Sequence, residues 1–253
     1  MKNSVLGISL LRHLASQGLR IFSTEQAQAA ALEIEMNPSY VSEALHHMKN
    51  GGWVTRLKRG IYAIAAYGPA PHEFAVAMAL VTPSAISHWT AMHYHHITEQ
   101  TPHKIFATTP RGTSIPRSLT NTSYRFIQVK KEHYFGIDTI WVDDMKAQIT
   151  NIEKTLLDGL TSPEYCGDFN EVLHAFKIGK DKIRIQVIVG YALRLEKAVA
   201  KRLGFILEGM GIEDKYLEAL LSLPMKSYCK FDPSGPVKGP YNSKWKIREN
   251  LCI

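Results

Sequence analysis

The 253 residues carry 30 basic and 23 acidic side chains, a formal charge of +7 that suits an anionic partner without demanding one. No apolar run reaches the ~18 residues of a membrane-spanning helix, and no membrane partner is expected. Cys166, Cys229 and Cys252 are far apart and form no Cys-x-x-Cys pair, so they outline neither a disulfide framework nor a zinc site. The first apolar stretch has helical spacing and no small-residue cleavage site after it, which points to a cytoplasmic protein rather than a secreted one.

In chain order, residues 1–20 predict a helix with an apolar stripe of Val5, Leu6, Ile8, Leu10, Leu11 and Leu14, closed by Gly18. Ile21-Phe22 suits a very short strand able to pair with a later hairpin. Ser23 or Thr24 caps a second, alanine-rich helix reaching Leu32. Residues 33–36 turn into a third helix, capped by Asn37 with Pro38 at its first position. Val41, Ala44, Leu45 and Met48 recur at steps of three and four and form its buried face. Ser39, Tyr40, Ser42, Glu43, His46, His47 and Lys49 lie on the other side. Gly51-Gly52 ends the helix. Trp53 to Leu57 then reads as a strand and Ile61, Tyr62 and Ile64 as its return, with Lys58-Arg59-Gly60 as the turn.

Helix, strand, helix, helix, hairpin is the order of a winged helix-turn-helix, with one helix for the major groove and a wing for the flanking groove or backbone. The charges agree. From Ala44 to His72 there is no acidic residue, while Lys49, Arg56, Lys58 and Arg59 all fall in that span. Unpaired cations bind phosphate by displacing condensed counterions. Cations at a hairpin tip also keep an edge strand soluble, so the charges alone do not decide.

Residues 65–71, with two prolines, read as a linker between a winged-helix domain at 1–66 and a second domain at 72–253. The second domain divides into a strand-containing part at 72–150, a helical part at 151–223 and a basic tail at 224–253. Helices are expected over His72–Val81 and through Trp89 to His95. Strands are expected at Lys104–Thr109 and Ser123–Val129, and a hairpin around Asp143-Asp144 joins Asp138–Val142 to Lys146–Thr150. Five helices follow: 152–160, 169–178, 181–193, 196–210 and 214–223. The tail ends in a strand at 244–248. The fold class is α+β, a winged helix followed by a mixed α/β domain with a largely helical second half.

Three constellations could carry chemistry. His88, His93, His95, His96 and His103, with Glu99, are rich in ligand atoms but have no closed ligand spacing, so no metal is assigned. Glu153, Lys154 and Asp158 lie on one short helix, and Glu153 and Lys154, with Asp143 or Asp144, could begin a metal-dependent nuclease site, or Glu153 could simply favour a helix start. Arg194, Lys197 and Lys201 fall at helical steps of three and four and could form a second basic face, as could any solvated helix. There is no phosphate-binding loop, HExxH or GxSxG motif; no catalytic residue and no cofactor is assigned.

The sequence resembles the AbiEi-type antitoxins, transcriptional regulators of type IV toxin–antitoxin and phage-defence systems. The resemblance lies in GGWVTRLKRGIYAI (51–64), HEFAVAMALVTPSAISHWTAMHYHHITEQTP (72–102), SYRFIQV (123–129), HYFG (133–136), NIEKTLLDGLTSPEYCG (151–167), AVAKRLGFILEGMG (198–211) and FDPSGPVKGPYNSKWKIREN (231–250). The chain departs from the family at Asn151, where proline is frequent, and at Tyr94-His95-His96, where a His-Gly pair is more usual. The resemblance implies a non-enzymatic autorepressor that binds double-stranded promoter DNA at inverted repeats, as a free monomer or cooperatively. It also implies a C-terminal antitoxin domain that opposes a nucleotidyltransferase-like toxin without a stable complex. The competing expectations are a nuclease or nucleotide-modifying enzyme targeted by the winged helix, and a bare protein-interaction module.

Overall fold

The computed structural model describes residues 2–66, 68–112 and 123–251. They form two compact units, one running to Thr82 and including Trp141–Lys146, the other formed by the remaining residues from Pro83 onward.

The first unit contains α1 (Lys2–Ser16), β1 (Ile21–Ser23), α2 (Thr24–Glu33), α3 (Val41–Asn50), β2 (Val54–Lys58), β3 (Ile61–Ile64) and α4 (Glu73–Leu80). The winged-helix order expected from periodicity is present. Ser23 caps α2 in a reciprocal box with Gln26, satisfying two amides that the helix start would otherwise leave open. The strands lie in the order β1-β3-β2, all antiparallel. Leu10, Leu11 and Leu14 of α1 close on Ala27, Ala30 and Ala31 of α2, on Val41, Leu45 and Met48 of α3, and on Phe22, Val54 and Ile64 of the sheet.

The structure corrects two details. Asn37 does not cap α3 itself. It caps a single 3-10 turn, Pro38–Tyr40, its Oδ1 accepting from the Ser39 amide at 3.0 Å. The Tyr40 amide closes on the Asn37 carbonyl, so α3 begins only at Val41. The hairpin is also tighter than expected. Lys58 pairs with Ile61, leaving Arg59-Gly60 as a two-residue turn, and Gly60, its second residue, takes a left-handed φ of 77° that glycine adopts without penalty. The register shifts between Arg56 and Lys58, making Leu57 the extra residue of a bulge. That shift turns Leu57 into the core and Arg56 outward.

α4 clusters with the first unit, whose first span runs to Thr82. His72 caps α4 through Nδ1, which accepts from the Phe74 amide.

The second unit is built on β4 (Ala85–Ile86), α5 (His88–Tyr94), β5 (Lys104–Thr109), β6 (Ser123–Gln128), and, apart from Trp141–Lys146, on β7 (Ile137–Val142) and β8 (Met145–Thr150). The sheet order is β6-β5-β4-β8-β7. β5 and β6 are parallel, as are β4 and β8, while β4 and β5 are antiparallel. β4 is only two residues long, too short to leave a period in the sequence. Then come α6 (Ile152–Thr161), α7 (Phe169–Ile178), α8 (Ile185–Ala192), α9 (Lys197–Gly209) and α10 (Asp214–Leu221). α8 starts at Ile185 rather than 181 because a 3-10 turn at Lys180–Lys182 precedes it and Arg184 is extended.

The tail forms a small sheet of β9 (Cys229–Lys230), β10 (Tyr241–Asn242) and β11 (Ile247–Arg248), in the order β10-β11-β9. The longer strand expected from Lys244 is cut short: Asn242 Oδ1 accepts from the Trp245 amide, and Lys246 has a φ of 56°. Trp245 is fully buried in a slot that exists because position 204 is glycine; a Cβ there would lie 2.0 Å from the indole. Its Nε1 donates to Glu208 at 2.7 Å.

A buried polar cluster lies where β4 and β8 give way to α5 and α6. His88 is buried with a φ of 51°, its Nδ1 2.8 Å from Ser87 Oγ and its ring edge-on to Tyr165. Burial lowers its imidazole to about 4, against the pull of Asp158 upward, and Lys154 adds to the lowering. Folding therefore favours the neutral ring. Above about pH 6.5 the ring is neutral in both states and costs nothing; between there and about 4 the unfolded chain takes up the proton first. Stability should fall progressively across that window by up to about 3 kcal/mol. Urea midpoints measured from pH 7 to pH 4 should show this slope, and His88→Asn, which tolerates the positive φ, should flatten it.

Candidate nucleic-acid interface

α3 stands on the first-unit core by Val41, Ala44, Leu45 and Met48, which leaves Ser42, Glu43, His46, His47 and Lys49 exposed on its outer side. Ser39 and Tyr40 are exposed on the 3-10 turn just before it. Glu43 Oε1 lies 3.6 Å from His47 Nε2, one helical turn on. Asn50, which the sequence reading passed over as part of the helix end, is exposed one turn after His46, with its Nδ2 3.1 Å from His46 Nε2. Its four-residue step from His46 was the available signal. The side chains offered here are hydroxyls, imidazoles, an amide and a carboxylate, the groups that read base edges.

The wing supplies the charge. Arg56 is exposed, its Nε only loosely directed at the Lys58 carbonyl at 3.4 Å, and Arg59 is exposed at the tip. Lys58 differs from both: it is half-buried and its ammonium donates to the Leu80 carbonyl at 2.6 Å. The structure thus groups the outer side of α3 with two wing arginines in one unit.

The face expected from Arg194, Lys197 and Lys201 is not formed. Lys201 is 2% exposed and donates to the carbonyls of Leu220 and Leu221, satisfying the end of α10; burial lowers its pKa. Arg194 precedes α9 and sits 3.7 Å above the Phe135 ring, and Lys197 donates to the Pro224 carbonyl. Arg202 is buried too and serves the carbonyls of Leu160 and Lys230.

Three of the acidic residues considered for metal chemistry, Asp144, Glu153 and Asp158, face a cation. Asp144 accepts from Arg20 at 3.2 Å. Glu153 is buried and takes two bonds from the Arg184 guanidinium, at 2.8 and 2.9 Å. Burial pushes its carboxyl up, but the Arg184 hydrogen bonds outweigh that and hold it below the usual range. Asp158 is paired with Lys154 one turn earlier on α6. Among the histidines, His95 Nε2 lies 2.7 Å from the Thr150 carbonyl, and His88 is in the buried cluster. Among the described residues no group of three or more His, Cys, Asp or Glu converges as a metal site.

A winged helix that turns hydroxyl, imidazole and amide groups outward on its third helix and arginines on its wing has the build of a DNA-binding transcriptional regulator. Residues 9–65, the span from α1 to the end of the wing, match the family described as "Transcriptional regulator, AbiEi antitoxin". The whole chain has the fold of a crystal structure of the RV2827C protein from Mycobacterium tuberculosis, with a TM-score of 0.65 over 96% of this chain and 90% of that one, at 14% identity. No curated protein is similar enough in sequence to match the chain. Among the described residues no helix is long and apolar enough to cross a membrane.

Proposed function

We propose that this chain represses its own promoter and acts as the antitoxin of a type IV toxin–antitoxin pair, opposing a nucleotidyltransferase-like toxin in the cytoplasm. The observation that carries the reading is the exposed outer side of α3 together with exposed Arg56 and Arg59 on one winged-helix scaffold, and the regulator–antitoxin family matched by residues 9–65 supports it. α3 enters the major groove at each half of an inverted repeat, and the wing arginines neutralise flanking phosphates. The chain is a monomer when free and binds the two halves cooperatively. The second unit carries neutralisation and needs no stable complex with the toxin. No cofactor and no catalysis are invoked. Asp144, Glu153 and Asp158 of the nuclease alternative face Arg20, Arg184 and Lys154, and no observation favours that reading.

The test is titration of the full chain onto the DNA upstream of its own gene, with single-base variants of each inverted repeat. Glu43 can accept from a cytosine amino group, and such a contact discriminates by about 1–3 kcal/mol. Glu43→Ala should therefore even out affinities among the variants while changing total affinity little. An equal loss on every variant would remove Glu43 from base reading, and absence of salt-dependent binding by the parent chain would remove the proposed function.

A further inference from the structure

The wing of this chain is held from two sides. Its tip carbonyl, Gly60 O, accepts from the Thr24 amide at the start of α2, at 2.9 Å. On the other side the Lys58 ammonium reaches the carbonyl of Leu80, the last residue of α4, at 2.6 Å. A helix C-terminus offers unpaired carbonyls at the negative end of its dipole, so this is a favourable place for a cation. The bulge produces the geometry. With Leu57 as the extra residue, Lys58 returns to register opposite Ile61 and is half-buried instead of projecting beside Arg59.

Resting on the DNA-binding reading above, we propose that Lys58 is a positioning residue of the wing rather than a phosphate ligand: it ties β2 to the end of α4 and so holds Arg59 where the flanking phosphate lies. A two-residue turn carrying one exposed arginine has little contact area of its own. Its contribution to binding depends on that arginine being placed before DNA arrives, since a loose hairpin would have to be ordered on binding. Leu80 also closes the last element before Pro83, so the tie joins the wing to the segment of chain that leads into the second unit.

The experiment is a double-mutant cycle on the full chain with Lys58→Met, Arg59→Ala and the two together. Affinity for upstream DNA is read by fluorescence anisotropy, and amide hydrogen exchange is followed in the DNA-free protein. Lys58→Met keeps the apolar stem and removes the donor. In the parent background it should weaken DNA binding by about tenfold, the scale of one hydrogen bond from a charged group. In the Arg59→Ala background it should cost less than about twofold, because independent contacts add and a positioning effect routed through Arg59 does not. Without DNA, the amides of Ile61–Ile64 should exchange faster in Lys58→Met and be unchanged in Arg59→Ala. Equal factors in both backgrounds would make Lys58 an independent DNA contact and overturn the proposal, as would no loss at all in the parent background. If the parent chain fails to bind DNA, the DNA reading falls by itself. The exchange arm then decides the tie: faster exchange upholds it and unchanged exchange overturns it.

Discussion

Arg56→Ala together with Arg59→Ala should lower the slope of log affinity against log salt by about two, since each lost phosphate contact removes roughly 0.9. Both guanidinium groups are exposed on the wing, and the span from Ala44 to His72 contains no carboxylate to neutralise them. The loss should be nearly the same on operator and unrelated DNA, because phosphates carry no sequence. That distinguishes the wing from α3, where Glu43→Ala is expected to change preference instead. In cells the same double variant should release the promoter. Growth beside the toxin should still be rescued when the variant is supplied from an unrelated promoter, because the wing belongs to the first unit and neutralisation is assigned to the second. Loss of rescue would mean that antitoxin action passes through DNA binding. An unchanged slope would remove the wing from the interface.

Lys154→Met should be among the most destabilising single changes in the second unit, at roughly 3–5 kcal/mol, the cost of leaving a buried charge without its partner. Lys154 is 1% exposed and Asp158 5%, one turn apart on α6, with the Lys154 ammonium also over the Phe135 ring. The second oxygen of Asp158, Oδ2, is buried and has no hydrogen-bond partner among the described residues, so removing Lys154 takes away the group on which this carboxylate depends. Lys154→Met with Asp158→Leu should recover most of the loss, because two apolar groups of similar volume need no compensation. Urea unfolding of the two chains at pH 7 measures the difference. A single variant as stable as the parent would show that the pair contributes little to holding α6 in place.

The winged helix was legible because its signals are local. The three- and four-residue steps in α3, the Ser23 cap and the Gly51-Gly52 stop each act within a few residues of where they are read. Lys58 is half-buried rather than projecting from the turn because one bulged residue reverses which way a strand side chain points, and nothing in VTRLK announces the bulge. The supposed basic face failed for a different reason. A helical wheel places Lys197 and Lys201 together, but the carbonyls that draw Lys201 inward end a helix some 20 residues later. β4 escaped notice because it is two residues long, and its partners β5 and β8 are distant in sequence.

The slot at Gly204 sets an order in time. Trp245 and Ile247 belong to the same apolar cluster as Met92 and Leu156, so that cluster stays incomplete until nearly the whole second unit has been synthesised. The winged-helix cluster, from Leu10 to Ile64, needs nothing beyond the first quarter of the chain. Domains fold as they emerge, amino-terminal first. On each ribosome, once Leu80 is made and the wing can be tied to α4, a folded wing and recognition helix therefore exist for the time it takes to translate about 165 further residues, at 5–20 residues per second, or roughly 8–33 seconds. For that interval the nascent chain carries the reading head of a repressor while the part assigned to neutralising the toxin is still unfinished.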